Sequence, residues 1–427
     1  MPGRLVLGFS GGLDSSLLLA ALVRAGFAAR LDAVHVAHGL QPAAQAWGEH
    51  CAAIAAAQGV RFSVAHLSLS PGANLEARAR DARRAALVDA TPADGALLLA
   101  HHADDQAETV LLRLLRGAGP AGLAAMAPRS IFENRLLLRP LLDTPRATLA
   151  ALAREWGLVW VEDPTNTDVT PDRNFLRHQV LPALTGRWPG LVATLGRDAR
   201  LQAEAAALQA DIAATDCDAL LRADGSLSLR GLAALSRVRQ RNLLYGWLRA
   251  TGRRAPAEKV LQRVLDELAG AGQDRLPEVA WPEGVFCRYR DGLYLLGPDA
   301  RMPLTETIEL PLADGISRRL GPGTVTVARG QADDVAAVWL PLALQRVWLG
   351  PAPQGARILR GGLHRDLREL WRVAGVPPWR RRQLPVVLGE GPGDDRPVLL
   401  AAAGIGTADP VRPAPGAPAW RLDWTLS

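Results

Sequence analysis

The chain has 427 residues, 48% of them apolar, with three cysteines and a net charge of +6. That length supports two or three domains with separate cores, and no apolar run reaches the length or charge-free purity of a membrane span, so no membrane association is expected. Cys51, Cys217 and Cys287 lie far apart without C-x-x-C spacing, which argues against a disulfide framework or a zinc cluster and for a reducing, cytoplasmic setting.

The first predicted element is a strand over Leu5–Phe9, followed by Ser10-Gly11-Gly12-Leu13-Asp14-Ser15-Ser16 and a helix over Ser15–Ala25. Strand, glycine turn and helix N-terminus together aim backbone N–H groups at one point, a ready anion site. Lys259 is the one lysine of the chain. The loop is therefore not of the G-x-x-x-x-G-K-[ST] type. Phosphate charge here must be met by main chain, hydroxyls, arginine, or a metal held by acids such as Asp14. Capping of the helix by Ser10 and Asp14 uses the same groups and leaves the phosphate reading open.

Strands at Leu31–Val36, Arg61–Ala65 and Ala96–Ala100 alternate with helices at Ala43–Gln58, Asn74–Ala90 and after Ala103. This alternation predicts a doubly wound, mainly parallel α/β sheet covered on both faces. Ligands of such sheets sit beyond the carboxyl ends of the strands, where Ser10–Ser16, His38-Gly39 and His101–Asp105 fall. In Ala100-His101-His102-Ala103-Asp104-Asp105-Gln106-Ala107-Glu108-Thr109, helical spacing brings the three carboxylates together. Hard oxygen ligands beside a phosphate loop suit Mg²⁺. Asp105-x-x-Glu108 also has the spacing of a capping box.

An extended excursion follows at 130–142, then a helix from Pro145 to Trp156 with Thr144 as its N-cap, and a turn-rich Asp163–Asp168. A long helix from Leu191 to Ala214 leads out of the first domain. Helices at Leu232–Ala250 and Ala257–Ala269 with strands near Val285–Leu296 predict a helical, α+β middle domain, and a small α+β C-terminal domain follows. The boundaries expected are 1–212, 213–300 and 301–427, with a proline-rich, irregular tail from Asp409.

The string Ser10-Gly11-Gly12-Leu13-Asp14-Ser15 resembles the PP-loop of the ATP pyrophosphatase superfamily, which implies an adenine nucleotide alpha hydrolase-like first domain splitting ATP between its α- and β-phosphates. Ala100–Gly117, continuing to Gly119-Pro120-Ala121-Gly122-Leu123, resembles the signature of bacterial tRNA(Ile)-lysidine synthetases. So do Val36-Ala37-His38-Gly39-Leu40, Asn74-Leu75-Glu76-Ala77-Arg78-Ala79-Arg80, and Asp163-Pro164-Thr165-Asn166 with Arg173-Asn174-x-x-Arg177. Many members carry Asp or Asn where this chain has Ala37, so no role carries over there. The likeness is dense over residues 5–185 and looser beyond, although Leu367–Arg382 is similar to the family's C-terminal domain.

The resemblance implies a ligase that adenylates the wobble cytidine of a CAU-anticodon tRNA(Ile) with ATP and then joins free lysine to its C2. It implies ATP contacts from Ser10, Gly11, Gly12, Leu13, Asp14, Ser15 and His38, and Mg²⁺ at Asp14 and Asp105. Asp14, His101, Asp105 and Glu108 are the expected catalytic groups, His101 as proton acceptor from the lysine amine and the acids as partners of the metal or the lysine ammonium. Arg113, Arg173, Arg177, Arg380 and Arg381 are candidate tRNA contacts, the last two beside an exposed Trp379 suited to stacking. The family is often dimeric, so a homodimer is the expected assembly. A thiolase is disfavoured because Cys51 falls inside a helix and the other cysteines lie outside the catalytic domain. A glutamine-dependent synthetase is disfavoured because the loop begins at residue 10. A nucleotide sensor without catalysis is disfavoured by the acid–histidine cluster.

Overall fold

The computed structural model describes residues 3–37, 44–67, 75–162, 168–268, 277–298, 300–391 and 394–426. The chain divides into two compact units, 1–210 and 211–427, the division falling inside a long helix.

In the first unit β1 (Leu5–Gly8), β2 (Leu31–Ala37), β3 (Arg61–His66) and β4 (Ala96–Leu98) alternate with α1 (Leu13–Arg24), α2 (Ala44–Ala57) and α3 (Leu75–Asp89). After β4 come α4 (Ala103–Leu115), α5 (Pro120–Leu123), the hairpin β5 (Arg129–Phe132) and β6 (Arg135–Leu138), and α6 (Arg146–Glu155). The sheet runs β3-β2-β1-β4-β6-β5. Its pairings are parallel except at the β5–β6 hairpin. The reason lies in β1, where alternate side chains serve opposite faces. Leu5 and Leu7 pack with Leu18, Leu19 and Cys51 on one side. Val6 packs with Leu87, Val88 and Leu137 on the other. A strand buried on both faces reads as one continuous apolar run.

The chain moves outward from β1 to β3, then crosses back to place β4 on the other side of β1. Connections leaving β1 and β4 thus diverge, opening the crevice where ligands of doubly wound sheets bind. The excursion at 130–142 is the β5–β6 hairpin, whose turn residues Glu133 (φ 47°) and Asn134 (φ 59°) are both left-handed, as a two-residue turn matching strand twist requires. α6 starts one residue later than expected: Pro145, not Thr144, is its N-cap position. Its first free N–H, on Arg146, is satisfied from another segment, by Asp104 Oδ2 at 2.8 Å.

Next come α7 (Asp172–Phe175), a π-helical turn (Leu176–Val180) and α8 (Leu181–Arg187), then α9 (Leu191–Leu220), which carries the chain into the second unit. Pro182 explains the π turn, because its ring would crowd the carbonyl four residues back and it lacks an N–H for the regular ladder.

In the second unit the helix expected over Leu232–Ala250 is split into α10 (Leu229–Ala234) and α11 (Arg237–Ala250), Ser236 capping the latter. α12 (Glu258–Arg263) and another π turn (Val264–Leu268) follow. β7 (Leu227–Ser228), β8 (Glu278–Trp281), β9 (Gly284–Tyr289) and β10 (Gly292–Leu296) form an antiparallel sheet in the order β7-β10-β9-β8. It packs on the helices through Leu243, Leu244, Leu248, Phe286 and Leu293.

The rest is largely β. Its strands are β11 (Ile308–Pro311), β12 (Ser317–Leu320), β13 (Gly323–Gln331), β14 (Val338–Pro341), β15 (Arg346–Gly350), β16 (Arg357–Arg360) and β17 (Leu363–Asp366). After α13 (Leu367–Val373) and α14 (Pro378–Arg381) come β18 (Val386–Gly391), β19 (Asp394–Ala402), β20 (Gly406–Thr407) and β21 (Pro418–Leu426). One sheet runs β11-β15-β18-β19-β20, another β12-β13-β21-β14, and they share a core including Leu310, Val325, Val327, Leu340 and Val347. The tail is not irregular: β21 pairs with both β13 and β14. Its prolines precede or open the strand, where no ladder N–H is lost, and the apolar residues beyond them complete the core.

Candidate functional site

β1 ends at Gly8, and Phe9 N–H still donates to Val34 O at 2.9 Å. Gly11 then takes φ +76°, and a Cβ there would lie 2.7 Å from Cys51 Sγ. Left-handed backbone and crowding together admit only glycine. Gly12 is the N-cap of α1, extended and without a side-chain cap. The first N–H groups of α1 therefore lack a side-chain cap from Gly12, the condition for anion binding at a helix N-terminus. Ser15 Oγ donates to Gly12 O at 3.1 Å and lies 3.1 Å from Ser10 Oγ. Val161 N–H donates to Gly11 O at 3.0 Å, tying down the outer side of the turn. Beneath the loop, His35 Nδ1 lies 3.0 Å from Phe9 O, and burial lowers its pKa. Burial also pushes the Cys51 thiol up to about 11. Cys51 is thus an inert thiol packed under Gly11.

Across the crevice, α4 begins with a capping box. His102 Nδ1 accepts from Asp105 N–H at 3.4 Å, and Asp105 Oδ2 accepts from His102 N–H at 3.1 Å. The box is His102–Asp105 rather than Asp105–Glu108, because the helix starts at Ala103. His102 Nε2 lies 3.4 Å from Asp105 Oδ2 and 3.7 Å from Asp14 Oδ2. Burial works against charge on this ring, but hydrogen bonding to Asp104 and the carboxylates of Asp105 and Asp14 outweigh it, and its pKa is raised. Asp14 is raised chiefly by burial, the charges of His102 and Arg146 opposing. Its Oδ1 is buried without a partner. His101 behaves oppositely to its neighbour: burial first, then the guanidiniums of Arg139, Arg173 and Arg80, lower it to about 4 against the pull of Asp105. Its Nδ1 is also buried and unpartnered.

Glu108, 1% exposed, is met by two arginines from the α7–π segment. Arg173 Nε donates to Glu108 Oε2 at 2.5 Å and Arg177 Nε to Oε1 at 2.6 Å. Both Nη2 groups donate to Asp105 Oδ1 at 3.0 Å. Two carboxylates and two guanidiniums so arranged satisfy the requirement that buried charges be paired and hydrogen-bonded. The pairing raises the pKa of Arg177 despite its partial burial and lowers that of Asp105, also despite burial, through His102, Arg173 and His101.

A glycine loop with an uncapped helix thus faces an arginine-paired couple of acids across β1 and β4. A family model described as a PP-loop domain matches residues 2–184. Models for the TilS substrate binding domain and the TilS substrate C-terminal domain match residues 227–294 and 347–424. A protein of Alkalilimnicola ehrlichii named tRNA(Ile)-lysidine synthase is 42% identical over 424 residues, covering 96% of this chain and 91% of its own. Proteins of the same name from Methylococcus capsulatus and Serratia proteamaculans are 40% and 38% identical, covering 90% and 98% of this chain and 88% and 95% of their own. The chain belongs to the tRNA(Ile)-lysidine synthase family.

In this tRNA(Ile)-lysidine synthase family member, Ser10, Gly11, Gly12, Leu13, Asp14 and Ser15 share one loop, where Leu13 contributes main chain while its side chain packs with Leu149 and Ala153 of α6. His101, Asp105 and Glu108 stand opposite, joined by Arg173 and Arg177. Arg113 donates from Nη1 to Gly122 O at 2.6 Å and Ala125 O at 3.1 Å. In the second unit Arg381 donates to Val376 O at 2.8 Å and Tyr289 OH at 3.3 Å. Trp379 is not an exposed stacking surface: it is half-buried, edge-on to Tyr294 at 5.2 Å and Tyr289 at 6.2 Å. Arg380 stands beside it, half-buried. His38, Asn74 and Asp163–Asn166 lie outside the described residues.

The donor set bears on a divalent cation. Asp105 Oδ1 is held by both arginines and Oδ2 by His102, and both oxygens of Glu108 are taken. Asp14, with an unpartnered buried oxygen beside the phosphate-binding turn, fits an ion that takes one carboxylate plus substrate phosphates; Asp105, as placed here, does not. Sequence reasoning missed His102. The signal was its position three residues before Asp105, the spacing of an N-cap and its N3 partner.

Proposed function

We propose that the protein joins free lysine to C2 of the wobble cytidine of CAU-anticodon tRNA(Ile), splitting ATP to AMP and pyrophosphate. The reading rests on family membership and on one feature, the uncapped Gly11-Gly12 turn facing the acid–arginine cluster across the crevice. Cytidine O2 attacks the ATP α-phosphorus, forming a C–O–P link as the bond to the β-phosphate side breaks. The departing pyrophosphate takes the bonding electron pair, and N–H groups at the head of α1 with the Ser10 and Ser15 hydroxyls stabilise that charge. The lysine amine then attacks C2, the C–O bond breaks, and AMP leaves with the electrons. A carbonyl oxygen that would not leave unaided has become part of a good leaving group, so the protein's task is positioning and charge stabilisation.

Mg²⁺ held by Asp14 would neutralise phosphate charge. Glu108 and Asp105 pin the forks of Arg173 and Arg177, leaving their outer N–H groups for phosphates of ATP or tRNA. His101 is neutral at pH 7 and offers an acceptor nitrogen to the attacking amine. At about 4 it is too weak a base to hold an ammonium proton, and that proton passes to solvent. Arg380 and Arg381 fit the phosphate backbone of the tRNA through the edges not used internally.

The test is incubation with ATP, Mg²⁺, labelled lysine and transcripts of CAU-anticodon tRNAs. Label should enter the isoleucine transcript and not the methionine one. Label in neither, with active tRNA confirmed, refutes the reading.

A further inference from the structure

We propose that His102 is a positioning residue that holds Asp14 of the glycine loop in register with Asp105 on α4, so that the two halves of the crevice address one substrate. This rests on the function proposed above and assigns a group that its chemistry does not use.

N-caps are ordinarily Ser, Thr, Asp or Asn, whose short oxygens reach the N2 or N3 amide. Here the cap is an imidazole, 2% exposed. Its Nδ1 does what a short side chain would do, accepting from Asp105 N–H. Its other nitrogen, Nε2, lies 3.4 Å from Asp105 Oδ2 and 3.7 Å from Asp14 Oδ2, while Asp104 Oδ2 lies 3.6 Å from Nδ1. Capping alone gives no reason for a second nitrogen.

Nε2 reaches toward both halves of the crevice. Asp14 follows β1 and Asp105 follows β4, the strands between which the sheet's order reverses. Among the described residues no hydrogen bond joins the glycine loop directly to α4; His102 stands between them. The contacts of 3.4 and 3.7 Å are charge contacts between the ring and the two carboxylates. His102 faces Oδ2 of Asp14 and leaves Oδ1, buried and unpartnered, for the ligand. Asp104 anchors the assembly from outside, accepting from Arg146 N–H at 2.8 Å.

Two substitutions separate linking from capping. His102→Asn keeps a good N-cap but is too short to reach Asp14. His102→Gln loses the cap geometry but can set an amide nitrogen where Nε2 stood. The full-length enzyme is assayed for tRNA-dependent pyrophosphate release without lysine, and its melting temperature is measured. Linking requires H102N to melt near wild type while kcat for pyrophosphate release falls roughly 10²-fold, the order expected for an ångström of misplacement, with KM for ATP changing less. H102Q should melt lower yet keep kcat within about tenfold of wild type. Wild-type kcat in H102N, or loss in H102Q as deep as in H102N, overturns the proposal. Absence of pyrophosphate release from the wild-type enzyme would instead overturn the functional reading, and this assignment with it.

Discussion

Replacing Glu108 by Gln should be the most damaging isosteric change in the first unit. The substitution leaves shape intact and removes one charge. Glu108 is 1% exposed and receives Arg173 Nε at 2.5 Å, Arg177 Nε at 2.6 Å and Arg177 Nη2 at 3.1 Å. A glutamine can accept from one guanidinium but turns an NH₂ toward the other, so two arginines share the single carboxylate of Asp105. Breaking one side of a buried ion pair costs about 3–5 kcal/mol, an upper bound here because the Arg173 and Arg177 side chains are 27% and 33% exposed and keep Asp105 as a partner. That is a large share of the 5–15 kcal/mol that typically holds a domain together. At about 2–4 °C per kcal/mol for a unit of this size, the melting temperature should fall by several degrees and by at most about 20 °C. Urea unfolding and calorimetry read this directly. The double variant E108Q/R177M, which removes the stranded charge, should recover part of the loss, and the cycle should give a coupling of at least about 1 kcal/mol. E108Q within 1 kcal/mol of wild type would refute the claim that the buried Glu108 carboxylate is tightly paired.

Further outcomes follow from the same geometry. Gly11→Ala should raise KM for ATP at least about tenfold, since a left-handed alanine costs about 1–2 kcal/mol before crowding and its Cβ meets Cys51 Sγ. Adding Cys51→Ala should relieve the crowding and restore only part, and wild-type KM in G11A would contradict the cradle. His101, lowered to about 4 from an ordinary 6.5, stays neutral when folded while its unfolded form protonates first as pH falls. Stability should therefore drop from about pH 6.5 to about pH 4, by up to about 3 kcal/mol from this ring. His101→Asn should flatten that slope, and denaturation midpoints at pH 7 and 4.5 for both proteins would expose an unchanged slope. Trp379→Ala removes the contacts to Tyr289 and Tyr294 and should cost about 2–3 kcal/mol. Calorimetry should then show the middle sheet and the C-terminal sheets melting separately; one unchanged transition would contradict a coupling of the two through Trp379.

The first unit was readable because parallel strands buried on both faces leave apolar runs such as Leu5–Phe9, and glycine turns punctuate them. Its binding edge followed from the alternation alone. What the sequence hid is long-range pairing. Nothing in Glu108 announces that arginines 65 and 69 positions later will pair with it, so the acids read as partners of a metal or an ammonium and their pairing with Arg173 and Arg177 stayed hidden. Asp104 looked like part of the same group but caps α6. The Glu133-Asn134 turn lacks the glycine that marks such hairpins, and the prolines before β21 masked a strand whose partners lie almost a hundred residues upstream. Trp379 beside three arginines had the composition of an RNA surface, but its partners Tyr289 and Tyr294 belong to the middle domain and were invisible to local pattern.

The central claim is that the Gly11-Gly12 turn binds the pyrophosphate that leaves when a nucleobase oxygen is adenylated. Identification of the nucleotide products by phosphorus NMR, with ATP and the CAU-anticodon isoleucine tRNA present, tests it most directly. The account requires AMP and pyrophosphate in equal amounts and dependent on the tRNA; ADP and orthophosphate would contradict it.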